Sequence, residues 1–489
     1  MALLVIVVIA LFPLACFGIW VYRHLQLRKT LSSIPSPRSV PFLGHVPITK
    51  PDVEGFVDQI MGMADLYPDA PRMVTFWAGT VPSVMIYSAE LVESIAIGLN
   101  HLNKGIFYDL LRPWLGFGLL TSNANEWRPR RKLLTPTFHH EILKNFVHVF
   151  NFQSEILVKR MREKAGPNNQ LEDVGHLISL CALDIICETS MGQSVNAQVE
   201  AESDYVRAVL RINDIVQKRQ KNPLMWNSVI FWLFGDGKEH AWALNVLHSF
   251  TKKVVVERRQ KMIFDGVSLA GERKAFLDLL LEMERNGDVN EKDIQEEGHD
   301  TTATGVAWAL QLFGCHPEIQ EKAFEEIRSV CGNSSDISFE QLGQLRYLEC
   351  CIKETLRLYP SVPIISRRLG SDSTIGGHFI PADTQILLNI YLIHRDPQYW
   401  KDPEVFDPTR FLPENSKGRH AFAFIPFSAG SRNCIGQRFA ILEEKAMLCW
   451  ILRTFRVVSI KRRDQVRHKT ELILRPVGGL PISLEPRIY

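Results

Sequence analysis

Phe427-Ser428-Ala429-Gly430-Ser431-Arg432-Asn433-Cys434-Ile435-Gly436, near the C-terminus of a 489-residue chain, decides the fold. One cysteine stands between two glycines and beside an arginine, in a loop that opens a helix. Gly430 and Gly436 let the backbone pass close to a flat cofactor and take turns that other residues resist. The first amides of the helix, together with Arg432, favour an anion, so Cys434 reads as a thiolate suited to iron. The competing reading is a buried structural cysteine beside a tight turn. Three further stretches of the chain argue against it.

Trp127-Arg128-Pro129-Arg130-Arg131 reads as helical and continues its basic run through Lys132. Trp127 and Arg131 are four apart and share a face, where indole and guanidinium can both donate to a carboxylate. Glu354-Thr355-Leu356-Arg357 lies on a helix that Pro360 ends. Glu354 and Arg357, at i and i+3, can pair among Cys350, Cys351, Ile352, Leu356 and Leu358, so a buried pair is expected. Glu325 and Arg328 share the spacing and read as a surface pair. Gly298-His299-Asp300-Thr301-Thr302-Ala303-Thr304-Gly305 sets three threonines and two glycines in a helical context, with Asn290 and Asp293 as the N-terminal cap upstream. Such a violation of helix propensity marks function or a close helix crossing. A threonine hydroxyl that bonds a carbonyl one turn back can bend the helix and open a groove.

Together these motifs resemble the cytochrome P-450 monooxygenases over essentially the whole chain. Glu297-Gly298-His299-Asp300-Thr301-Thr302, Lys353-Glu354-Thr355-Leu356-Arg357-Leu358-Tyr359-Pro360 and Met191-Gly192-Gln193-Ser194-Val195-Asn196-Ala197-Gln198 are similar to family four. The resemblance implies a mainly α fold with a small β subdomain, preceded by one transmembrane helix. It implies heme b with Cys434 as the axial thiolate, which favours O–O cleavage. Trp127, Arg131, Arg367 and Arg432 then correspond to propionate ligands, and Phe427, Gly430 and Gly436 to the haem loop. Asp300 and Thr301 correspond to the acid–alcohol pair that delivers protons to oxygen. Arg410, in Pro408-Thr409-Arg410-Phe411, corresponds to the third member of a structural Glu354–Arg357–Arg410 cluster. Family four mostly hydroxylates fatty acids at or near the terminal carbon. In many members a glutamate matching Glu297 esterifies a haem methyl. The implied partners are O2, a lipophilic substrate, NADPH–cytochrome P-450 reductase and, as a second donor, cytochrome b5. Arg128, Arg130, Lys132 and Arg438 form basic faces suited to an acidic reductase.

One departure stands out. The family usually reads Glu-Glu-Val-Asp-Thr-Phe-Met-Phe before the Glu-Gly-His-Asp-Thr-Thr element, whereas here Gln295-Glu296-Glu297 leads into Gly298. About seven residues are missing, roughly two turns and 10 Å, with a phase error of only about 20°. Helix faces stay aligned while apolar lining is lost. A haem protein of this fold with impaired or no turnover is therefore an alternative. A thiolate-haem isomerase or peroxide-user is another, which Asp300–Thr301 disfavours. Steroid, juvenoid and xenobiotic substrates stay open.

Residues 2 to 22 carry no charge, and as a helix these 21 residues span roughly 30 Å, the thickness of a bilayer core. Trp20 and Tyr22 sit where an interfacial belt would, and Arg23, His24, Arg28 and Lys29 follow at once. This predicts an uncleaved anchor with the remainder cytosolic, and the family resemblance implies that the membrane is the endoplasmic reticulum. A signal peptide is the weaker reading, because the run is long and has no basic leader. No other stretch reads as a span. Three prolines in Pro35–Pro41 set a stiff connection. The expected organisation is an anchor at 1–22, a basic stop and proline-rich hinge at 23–41, and one interleaved catalytic domain at 42–489. Strands are expected within 73–87, 362–390 and 470–485, with helices filling most of 101–358. Lys+Arg 56 against Asp+Glu 54 gives no charge signal for nucleic acid. Nine irregularly spaced cysteines without a Cys-x-x-Cys pattern indicate a reducing compartment.

Overall fold

A computed structural model describes residues 2–50, 53–63, 65–67, 71–98, 101–166, 168–264, 276–285, 300–332, 334, 336–470 and 472–487. Helices dominate, and the strands are short and drawn from distant parts of the chain. Met73–Ala78 and Val81–Ile86 form an antiparallel pair around Gly79-Thr80. Val81–Ile86 pairs in parallel with Gln385–Asn389, which pairs antiparallel with Ile364–Arg368. Asn103–Lys104 closes that edge by pairing antiparallel with Ile364–Arg368. A second sheet joins Gln170–Leu171, Ile482–Pro486 and Phe455–Ser459. The strands at 103–104, 170–171 and 455–459 lie outside the expected regions; two are only two residues long and exist through pairing.

The main core lies where the helices His140–Lys164, Val174–Ile186, Asp300–Cys315, Arg346–Leu358 and Gln437–Thr454 meet. Trp308 is fully buried, stacks on Tyr359 at 4.0 Å and donates its indole N–H to the Leu474 carbonyl at 2.9 Å. The 300–315 helix, poor in propensity at its start, is therefore held by packing at its centre.

The first helix runs Ala2–Leu31, past Tyr22 and through the basic stretch. Arg28 and Lys29 occupy its last turn, where cations suit the helix dipole. Leu11, Phe12, Leu14, Phe17 and Ile19 are exposed, whereas His24, Leu31 and Ile34 are buried against the body. His24 and Arg28 both sit on the Trp77 ring. The expectation that no other stretch could span needs correcting. Val174–Met191 is also long and apolar enough, but 56% of that window is buried inside the protein. Apolarity alone does not separate a core helix from a lipid-facing one.

Glu354 and Arg357 are fully buried and paired through two hydrogen bonds of 2.7 and 2.8 Å. Arg410 approaches Glu354 at 3.4 Å, and the Asp407 amide donates to it at 2.9 Å. Arg357 also donates to the carbonyls of His394, Pro403 and Val405. One helix is thereby tied to the loop that leads towards Cys434. Glu325 and Arg328 are both exposed. Removing one partner of a fully buried pair leaves an uncompensated charge. Arg357→Leu is expected to destabilise the protein by about 3–5 kcal/mol, read as a drop in the urea midpoint. A loss below about 1 kcal/mol, typical of a surface pair, would contradict this account.

Candidate active site

The cysteine loop is shaped by its backbone. Ser428 and Gly430 both take positive φ, 61° and 68°. A Cβ on Gly430 would collide with the Ala96 carbonyl oxygen, so only glycine fits there. The Cys434 amide closes the loop by donating to the Phe427 carbonyl at 2.9 Å. Gly436 directly precedes the 437–454 helix, and its position lies 3.9 Å from the Cys434 sulfur when a Cβ is added. The thiol therefore stands beside a helix N-terminus, which favours the thiolate.

Cys434 lines a cavity of about 390 Å³, and among the described residues no other cysteine does. Leu111, Leu115, Leu120, Ile186 and Val362 contribute apolar wall, while Thr301 and Thr302 enter from the 300–315 helix. The Thr301 carbonyl accepts a hydrogen bond from the Ser361 hydroxyl at 2.8 Å, which fixes the start of that helix against the 361–363 turn. Asp300 is the first described residue of the helix. Its side chain, Glu297 and the shortened 295–298 segment lie outside the described positions, as do Asn290 and Asp293.

Four cations converge on the wall. Arg131, from the helix Ala124–Leu134, donates to the Asn433 carbonyl and Oδ1, both at 2.8 Å, and so grips the residue before Cys434. Arg432 is buried, donates to the carbonyls of Leu102, Leu119 and Ser122, and lies 4.6 Å from the Trp127 ring centre. Arg367 is buried and reaches the Ser366 carbonyl and Ser428. Lys104 stands directly opposite Arg367 across the strand pair and sits over the Tyr108 ring. Among the described residues none of the four has a carboxylate partner. Burial pushes the Arg432 guanidinium down to about 9, with Arg367 adding to the effect. Burial likewise lowers Arg367 and Arg131, and Arg131 is partly offset by Cys434. Lys104 falls well below its ordinary value through burial, then Arg367, then Arg432. Like charges set opposite one another on a strand pair are destabilising unless an anion joins them.

The predicted residues Trp127, Arg131, Arg367, Phe427, Arg432, Cys434, Gly436 and Thr301 thus line one cavity. Gly430 shapes it from behind. Glu354, Arg357 and Arg410 lie in the supporting core. Sequence reasoning missed Lys104 and Ser361. Lys104 carries no motif, and its role arises only from strand pairing with Arg367.

The cytochrome P450 family profile matches residues 34–481. The chain belongs to the cytochrome P450 family. Its P450 relatives carry family-four designations. It is 42% identical to cytochrome P450 4c3 of Drosophila melanogaster over 95% of this chain and 91% of that protein. It is 43% identical to cytochrome P450 4V2 of Homo sapiens over 94% of this chain and 91% of that one. Cytochrome P450 4c21 of Blattella germanica is 38% identical over 95% of both. The chain is therefore a P450 monooxygenase, an oxidoreductase that takes electrons from a redox partner.

The P450 cofactor, heme b with a cysteine thiolate on iron, fits this cavity. A thiol lines the space, and the cations on its wall suit a group with two propionates. Lys104→Met is expected to stabilise the haem-free chain by about 1 kcal/mol, by relieving its repulsion with Arg367, while weakening haem retention. Thermal unfolding of the stripped protein and haem titration measure the two effects. A variant that holds haem as tightly as wild type would show that Lys104 does not serve the cofactor.

Proposed function

We propose that this P450 is a membrane-anchored enzyme that hydroxylates long-chain fatty acids at or near the terminal carbon. The observation that carries the reading is the convergence of Cys434, Thr301 and an apolar wall on one cavity. The fatty-acid preference rests on the family-four resemblance. The bound haem supplies the chemistry that splits dioxygen and inserts one atom into a C–H bond. Cys434 holds the iron as a thiolate. Lys104, Arg367 and Arg432 neutralise the propionates, Trp127 offers its indole N–H, and Arg131 fixes the cysteine loop through Asn433. The Thr301 hydroxyl and the Asp300 carboxyl hold the protons that the oxygen chemistry takes up. The apolar wall excludes water and orients the chain of the substrate. Glu297 is the candidate for an ester to a haem methyl.

Arg128, Lys132 and Arg438 are exposed. They suit an acidic face of NADPH–cytochrome P-450 reductase, with cytochrome b5 as a second donor. The exposed apolar side chains of the first helix suit an anchor in the endoplasmic reticulum membrane, with the catalytic domain cytosolic. Trp232, Leu233 and Phe234, exposed at 57%, 57% and 77%, would give the body a second lipid contact. The shortened stretch before Gly298 favours one rival, a haem protein of this fold with impaired turnover.

Reconstitution with reductase, NADPH and a saturated long-chain fatty acid tests both. Wild type is expected to form the terminal hydroxy acid. Thr301→Ala is expected to keep its haem while product per NADPH falls about tenfold or more, since a positioned proton donor contributes at least that much, and peroxide rises. After turnover, acid–organic extraction should leave haem on the wild-type polypeptide and free it from Glu297→Ala. NADPH consumption without organic product would favour the rival.

A further inference from the structure

The entry to the cysteine loop is held by an imidazole that belongs to none of the motifs. His394 directly follows the short helix Ile390–Ile393, which Asn389 caps by accepting the Leu392 amide at 3.1 Å. It is fully buried. Its ring nitrogen Nε2 accepts the backbone N–H of Ile425 at 2.8 Å. That bond is buried, so the amide has no water to turn to if the ring is lost. Phe424 packs on the imidazole, with ring centres 5.2 Å apart. From Ile425 the hydrogen bonds continue towards the thiol. The Ile425 carbonyl accepts the Ser428 amide at 3.0 Å, and the Phe427 carbonyl accepts the Cys434 amide at 2.9 Å.

The same residue meets the buried ion pair through its backbone. The His394 carbonyl accepts Arg357 Nη1 at 3.0 Å, while Arg357 Nη2 donates to Glu354 at 2.8 Å. One residue thus joins the Glu354–Arg357 pair to the amide two positions before Phe427. Only a neutral imidazole can accept a hydrogen bond, because a protonated one has donors alone. Burial, then Arg357 and Arg395, lower the His394 pKa to about 3 and keep the ring neutral. With Nε2 accepting from Ile425, its single proton belongs on Nδ1. The carbonyls of Leu356 and Arg357 favour that proton, although Nδ1 makes no hydrogen bond of full geometry.

We propose that His394 is a positioning residue for the thiolate: by accepting the Ile425 amide it fixes where the cysteine loop begins, and so where the Cys434 sulfur stands. The proposal rests on the reading of Cys434 as the iron ligand and adds a residue to it. The loop has two ends to fix. Arg131 grips Asn433 beside the thiol, and His394 holds the entry at Ile425. Between them Ser428 and Gly430 keep positive φ, 61° and 68°. For Ser428 that conformation is unfavourable, and it persists only while its surroundings over-determine it. With the Ile425 amide released, the turn can relax and carry the sulfur with it, and a shift of about 1 Å is enough to undo a positioned contact. His394 is not on the cavity wall, so it acts only through the loop.

The carbon-monoxide difference spectrum of the reduced, haem-loaded, full-length enzyme reads the thiolate without turnover. His394→Phe keeps a ring and removes the acceptor, whereas His394→Gln keeps a side-chain acceptor. In dilute urea, His394→Phe is expected to lose its thiolate-type band at least about fivefold faster than wild type, the effect of one unpaired buried amide. The loss is expected to run ahead of unfolding followed by circular dichroism, and His394→Gln is expected to restore most of the wild-type lifetime. A wild-type lifetime in His394→Phe, an equal loss in both variants, or a loss that coincides with unfolding overturns the proposal. If neither variant folds, amide exchange in wild type decides. An Ile425 amide as protected as the 437–454 helix supports the bond, and one that exchanges like an exposed loop overturns it. Haem-loaded wild type without a thiolate-type band fails the Cys434 reading instead, and amide exchange then still judges the His394 bond.

Discussion

Lys104, Arg131, Arg367 and Arg432 meet around one cavity with no carboxylate among the described residues to neutralise them. Burial lowers each of these cations, and the mutual repulsion of Lys104, Arg367 and Arg432 adds to the cost. A protein keeps such an arrangement only when an anion completes it. In the function proposed above, the propionates of haem are that anion. The fold follows from the need to bring these groups together, since each comes from a different segment. Lys104 comes from an edge strand and Arg367 from its neighbour. Arg131 comes from a helix and Arg432 from the cysteine loop. The cofactor is in this sense part of the core.

The scaffold beneath is tied by a second charge cluster that is satisfied from within. Glu354 and Arg357 bond each other, and Arg357 spends its remaining donors on three loop carbonyls. Arg410 and the Asp407 amide close on Glu354. The contrast between the clusters separates their roles. Saturated charge holds structure, and unsaturated charge awaits a ligand.

Much of this was legible in the sequence because it is local. The cysteine loop needs glycine at one place for a positive φ and close backbone approach, and arginine two residues before the thiol. Both constraints print directly on adjacent residues. The Glu354–Arg357 pair is one helical turn, and its apolar neighbours announced burial. Lys104 was not legible, since its partner lies more than 260 residues away and only the strand register joins them. The Val174–Met191 helix shows the limit of composition, because burial in protein and burial in lipid select the same residues. The first helix ran on through its basic end because cations suit a helix C-terminus as well as a membrane boundary.

The central claim is that this cationic cavity holds haem through the thiolate of Cys434 despite the shortened stretch before Gly298. The carbon-monoxide difference spectrum of the reduced, full-length protein tests it most directly, comparing wild type with Cys434→Ala. The account predicts a thiolate-type band in wild type and none in Cys434→Ala. A thiolate-type spectrum that survives in Cys434→Ala, or is absent from haem-loaded wild type, would contradict it.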